Sequence, residues 1–166
     1  METLLPVVFL APLALALAGC QTNRTDLVSE AFPADQKAVE KTIREIFDAA
    51  QNRELDKLEA FHLRGPKFTK FDDAGEQTRQ DDRAAIRAER EQLAGAAEFQ
   101  ASLHNLKVDV FGEVAVATLE PEFLVRTGEA TFQGKDRSTF VLVKTDQGWK
   151  IAHEHHSPFR QNSRTP

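Results

Sequence analysis

The 166-residue sequence contains no tyrosine, and only one cysteine, one tryptophan and one methionine. Each scarcity closes a route. Without a phenol, an acid/base site cannot use tyrosine to stabilise a developing oxyanion. The single cysteine, Cys20, has neither a disulfide partner nor a second thiol with which to hold a metal. No apolar run reaches the roughly 20 residues that a bilayer-spanning helix needs. Basic residues are not in excess, with 21 Lys and Arg against 26 Asp and Glu, and no basic stripe marks a nucleic-acid partner. The patterns GxGxxG, GxxxxGKS, HExxH and GxSxG are all missing.

What is present begins with Leu4 to Leu17, an apolar stretch without a charge that is too short to span and reads as the core of a secretory signal. Only Met1, Glu2 and Thr3 precede it, so the positive charge usual at that place is lacking. The stretch closes as Leu17, Ala18, Gly19, Cys20. This resembles the lipobox of bacterial lipoproteins, which implies a lipid-bearing Cys20 as the mature N-terminus. Gln21 rather than Asp follows, and by the same resemblance the expected address is the cell envelope, at the outer membrane facing the periplasm. Loss of residues 1–19 removes Glu2 and no base, leaving a net charge of −4.

The remainder divides into a polar tether over 20–33, one domain over 34–158 and a tail over 159–166. Val39, Ile43, Ile46, Phe47 and Ala50 recur at helical spacing, so 34–51 is expected to be an amphipathic helix. Leu55, Leu58 and Phe61 suggest a short second helix. Phe68 and Phe71 alternate with polar residues in a short strand. Residues 81–94, rich in Ala, Arg, Glu and Gln, suit a third helix. Within it, the charges from Arg83 to Glu91 read as a solvated face. After Gly95 the pattern turns to strands joined by Gly112-Glu113, Thr127–Glu129 and Asp146–Gly148, which predicts an antiparallel meander. The class is therefore α+β, a strongly curved antiparallel sheet covered by the N-terminal amphipathic helix.

The last of these strands, GWKIAHEHHS, gathers three of the five histidines. Strict alternation puts His153 and His155 on one face about 7 Å apart, and Glu154 and His156 on the other. With no bulge, Trp149 and Ile151 join His153 and His155. Two histidines do not complete a metal site, and His62, His104 or Asp72 would have to supply a third ligand. No metal or other cofactor is expected.

GWKIAHEHHS is similar to the closing strand of the SnoaL-like branch of the nuclear transport factor 2-like superfamily. The order of elements over 34–158 agrees with that resemblance. It implies a cone-shaped domain of a kind that hosts isomerases, cyclases and dehydratases as well as non-enzymatic ligand-binding or assembly roles. The closing strand also resembles that of the association domain of calcium/calmodulin-dependent protein kinase II, whose acidic turn after a phenylalanine is echoed by Phe71 and Asp72. These resemblances imply a ligand site among Phe71, Asp72, Glu154 and His156, with His153 and His155 as the alternative face. They also imply a homodimer through the sheet. The expected function is a membrane-anchored lipoprotein that binds a small molecule or mediates assembly. The alternative is an isomerase or lyase with Asp72, Glu98, Glu154 or His156 as general base.

Overall fold

The computed structural model describes residues 26–72 and 78–159. Cys20, the signal segment and the first part of the tether, up to residue 25, lie outside the described residues, as does the tail after Phe159. Eight elements follow in order: α1 (Pro33–Gln51), α2 (Leu55–Ala60), β1 (Thr69–Phe71), α3 (Asp82–Gly95), β2 (Glu98–Phe111), β3 (Val114–Thr127), β4 (Ala130–Thr145) and β5 (Gly148–Pro158).

Helix α1 forms where its apolar stripe predicts, with proline in its first turn and Val39, Ile43, Ile46, Ala49 and Ala50 buried. It ends in a Schellman arrangement. Arg53 takes the left-handed conformation at φ 57, its N–H donates to Ala50 O, and the Glu54 N–H donates to Ala49 O. The Arg53 guanidinium then reaches Ala96 O, tying the end of α1 to the end of α3. Helix α3 is started by Asp81, whose carboxylate accepts from the Ala84 N–H at 2.9 Å.

The five strands run in the order β1-β5-β4-β3-β2. Strands β2 to β5 form the antiparallel meander that the turns predict. The sheet is nevertheless mixed, because β1 joins its far edge parallel to β5. Sequence alone could not place a three-residue strand whose partner lies some 80 residues further on. The core lies between α1 and the sheet, where Val39 and Ile43 meet Val108, Ala115, Ala117, Phe140, Leu142 and Ile151. Phe47 packs edge-on to Phe140, with ring centroids 6.4 Å apart.

Two bulges break the alternation. In β2, the register shifts between His104 and Lys107, beside Asn105 at φ 54. In β5, Ile151 pairs with Leu142 and His153 with Val141, so Ala152 is an extra residue. This second bulge corrects the unbulged pattern. Trp149 and Ile151 share the helix-covered face with Glu154 and His156, not with His153 and His155. Trp149, Ile151 and Glu154 are all buried.

Deleting Ala152 should therefore be far more damaging than its small side chain suggests. Either Trp149 and Ile151 or Glu154 would be forced onto the wrong face. Circular dichroism melting should show loss of the cooperative transition, and an unchanged midpoint would contradict this account of the bulge. Truncating Phe140, 1% exposed, to alanine should cost about 3–5 kcal/mol in denaturant unfolding.

Candidate functional site

Among the described residues, a cluster of buried charge lies where α2, β1, α3 and β5 meet. Glu154 comes from β5 just past the bulge. Lys70 is the middle residue of β1, paired in register with Glu154. Glu89 projects from α3. His62 follows α2, where the chain pairs with β5: the Leu63 N–H donates to Ile151 O and the Ile151 N–H to Phe61 O. Three of these side chains, those of His62, Lys70 and Glu154, are at most 5% exposed.

The distances describe a closed ion cluster. The Lys70 ammonium lies 2.7 Å from Glu89 Oε1 and 3.4 Å from both Glu154 Oε1 and Asp72 Oδ2. His62 Nε2 is 3.2 Å from Glu154 Oε1 and 3.4 Å from Glu89 Oε1. Its Nδ1 is 3.1 Å from Leu58 O. Because both ring nitrogens face acceptors, both must donate, and His62 is an imidazolium. The second oxygen of Glu154 accepts from His156 Nε2 at 3.3 Å, and His156 Nδ1 is hydrogen-bonded to the Ser138 hydroxyl at 2.8 Å.

Electrostatics follow from this packing. Burial opposes charge on His62, but hydrogen bonds and attraction from Glu154 and Glu89 outweigh it and push the imidazole up to about 10. Burial likewise opposes charge on Lys70, and the attraction of Glu154, Glu89 and Asp72 raises it above the usual lysine value. For Glu154, burial favours the neutral acid. Lys70, then the hydrogen bonds from His156 and His62, reverse this and hold the carboxyl well below its ordinary range.

His62, Glu89 and Glu154 offer ligand atoms within 4.8 Å of one another. Among them, however, sits the Lys70 ammonium, bonded to Glu89 and drawn to Glu154. It supplies the positive charge that a metal would bring. The trio His62, Glu89 and Glu154 also differs from the trio conceived around His153 and His155. A Ser138, His156, Glu154 chain is likewise present in outline, but Ser138 is 2% exposed and meets no substrate as a nucleophile.

The other expected site residues are distributed over two faces. His153 and His155 lie on the helix-free face beside Phe71, whose ring is edge-on to both at 6.0 and 5.9 Å. The Thr69 hydroxyl is hydrogen-bonded to His153 Nδ1 at 2.8 Å. Glu154 and His156 face the helices. Asp72 approaches Lys70 from the end of β1. Glu98 stands apart at the start of β2 in an ion pair with Arg126. His104 likewise stands apart, near Glu122.

Lys70 and Glu89 escaped sequence reasoning. Lys70 follows the alternation of Phe68 and Phe71 as an apparent outward residue, and Glu89 belongs to the run read as a solvated helix face. That reading needs correction: Glu89 turns into the cluster, and Arg90 binds Asp56 and Glu59 of α2. The available signal was that one face of α3 mixes Ile86 with Glu89 and Arg90.

The chain belongs to the SnoaL-like domain family, whose family model matches residues 39–161. No curated protein matches it in sequence. Solved structures share the fold. A nuclear transport factor 2-like superfamily protein from Salmonella enterica serovar Typhimurium is 15% identical, with a TM-score of 0.72 over 81% of this chain and 98% of that one. A proposed dehydratase of the same family from Streptomyces avermitilis is 18% identical, with a TM-score of 0.69 over 75% and 96%. The calcium/calmodulin-dependent protein kinase II hub of S. rosetta is 22% identical, with a TM-score of 0.64 over 78% and 98%.

The ion cluster dictates a pH dependence of stability. His62, raised above its unfolded value of 6.5 to about 10, stabilises fully below pH 6.5 and loses this contribution as pH rises towards 10. Glu154, lowered from 4.5, stabilises above that value and loses its contribution as pH falls through the folded value. Maximum stability should lie near pH 5–6.5 in urea titrations, and His62→Gln should flatten the alkaline limb. A stability that climbs from pH 6.5 to 9 would contradict the assignment. Lys70→Met, which leaves buried carboxylates uncompensated, should cost about 3–5 kcal/mol at pH 6.

Proposed function

We propose that this chain is a lipoprotein, anchored through Cys20, whose SnoaL-like domain works by binding and assembly rather than by carboxylate-driven proton abstraction. The observation that carries this reading is the state of Glu154. A general base must be able to take a proton near neutral pH and reach a substrate. Glu154 has His62 and Lys70 at one oxygen and His156 at the other, and is held ionised far below neutrality.

A ligand would meet the inner face of the sheet where it extends beyond α1. Phe99 and Leu103 are partly buried there, and register places Phe123 and Val125 on the same side. Phe123 and Phe132 stack with centroids 6.0 Å apart. Gly134 makes this possible, since a Cβ there would come within 2.8 Å of the Phe123 ring. His156, its side chain 18% exposed, is one of the polar groups of the cluster that reach towards solvent, with Glu89 and Asp72 each 15% exposed. Apolar walls with one oriented imidazole suit a small apolar molecule carrying a carboxylate.

Assembly would use the opposite face. Val116 and Val141 pair across its centre, with Thr118 and Thr139 beside them, and Phe71, His153 and His155 complete it at the edge. A second copy of the chain could lay the same patch against this one. A second reading is favoured by His156, which Ser138 and Glu154 orient as they would an acid/base histidine. In that case the domain would be an isomerase or lyase.

Three measurements test these assignments. Cys20→Ser should move the protein from the membrane to the soluble fraction, and unaltered fractionation would refute lipidation. Val141→Arg should convert a dimer to a monomer in sedimentation, whereas a monomeric parent would remove the assembly role. In amide-shift titrations with medium-chain carboxylates, residues of the inner face should respond, and His156→Ala should weaken binding at least tenfold. Turnover abolished by His156→Ala would favour the enzyme instead.

A further inference from the structure

The first described residues lie against one end of the sheet. Leu27 and Val28 are 43% and 85% exposed, and at the β2–β3 turn Phe111 and Val114 are 38% and 40% exposed. Phe111 and Val114 pair directly. Leu27 leans on the turn itself: a Cβ on Gly112 would stand 3.4 Å from Leu27 Cδ2. Four large apolar side chains therefore gather at the pole where the tether enters the domain.

The length of that tether decides what can cover them. Only residues 21–25 separate Cys20 from Asp26. At about 3.5 Å per residue, even a fully extended chain spans only about 20 Å from Cys20 to Asp26. An acyl-bearing Cys20 thus keeps this pole next to the bilayer surface. The charges around it do not attract anionic lipid, since Asp26, Glu30 and Glu113 are exposed and Lys144 is paired with Asp35. Contact must be apolar.

We propose that Leu27, Val28, Phe111 and Val114 form a membrane-resting surface that inserts into the lipid interface and stands the domain upright on the bilayer. This rests on the lipoprotein reading of Cys20. Strand β3 carries the chain from this pole to the β3–β4 turn, 13 residue steps or about 40 Å at strand rise. The rim bearing Phe132, near that turn, then faces away from the membrane. An acyl chain and an apolar patch act as two membrane signals, the second fixing orientation rather than attachment.

The test uses the full lipidated chain in phosphatidylcholine vesicles. Acylation consumes the Cys20 thiol, so Val28→Cys, Val114→Cys or Glu129→Cys each provides one labelling site for an environment-sensitive fluorophore. Lipids spin-labelled near the headgroup should quench the first two several-fold more than the third, with no change when salt is raised. Equal quenching at all three sites, or none, in protein shown by mass to be acylated and by flotation to be bound would overturn the orientation alone. Protein with an unmodified Cys20 would overturn the lipoprotein reading and this inference with it.

Discussion

Glu154 is 3% exposed, and removing a carboxylate from water costs several kcal/mol unless its partners are well placed. Much of the architecture around the closing strand answers that cost. Lys70 reaches it from a strand of three residues, and His62 from a segment held to Ile151 by two backbone hydrogen bonds. Glu89 on α3 holds both cations in place. Elements too short to fold alone are thereby fixed to the end of a long sheet. A buried cluster is weak evidence of stability gained over an apolar core, but losing one member is severe. It therefore fixes the relative placement of α2, β1, α3 and β5.

The Ala152 bulge determines that this cluster exists at all. Without the extra residue, the apolar pair Trp149 and Ile151 and the acid Glu154 would lie on opposite sides of the strand. With it, all three enter the interior, and the displaced histidines His153 and His155 emerge beside Phe71. One extra residue decides which side chains of β5 lie on the inner face and which on the outer. The ligand site expected among Phe71, Asp72, Glu154 and His156, with His153 and His155 as the alternative face, is divided by the sheet: Phe71 stands with His153 and His155, Glu154 and His156 lie on the opposite side, and Asp72 is drawn to Lys70.

The legible part of the fold was the part governed by periodicity. Helix α1, with five apolar residues on one stripe, and the hairpin order of β2 to β5 are written in local patterns. The parity of HEHH was legible too, because it depends only on strand geometry. Its relation to Trp149 and Ile151 was not, since a bulge at alanine leaves no compositional mark. Lys70 and Glu89 were illegible for a different reason. Charged residues on short amphipathic elements are normally solvated, and only the meeting of four elements distant in sequence makes these two interior.

The same cluster bears on the chemistry open to the domain. Where a base is wanted, burial is useful because it raises a carboxylate towards neutrality. Here burial acts in that direction on Glu154 and is overruled by two cations and a donating histidine. Where a metal is wanted, the carboxylates must be free to bind it, yet the Lys70 ammonium occupies their common space. Both functions would require undoing the contacts that join β1 and α3 to the sheet. The interior charge is thus committed to structure, and under the proposed binding and assembly roles recognition falls to other surfaces: the inner face with the partly buried Phe99 and Leu103, and the valine and threonine patch on the reverse of the sheet.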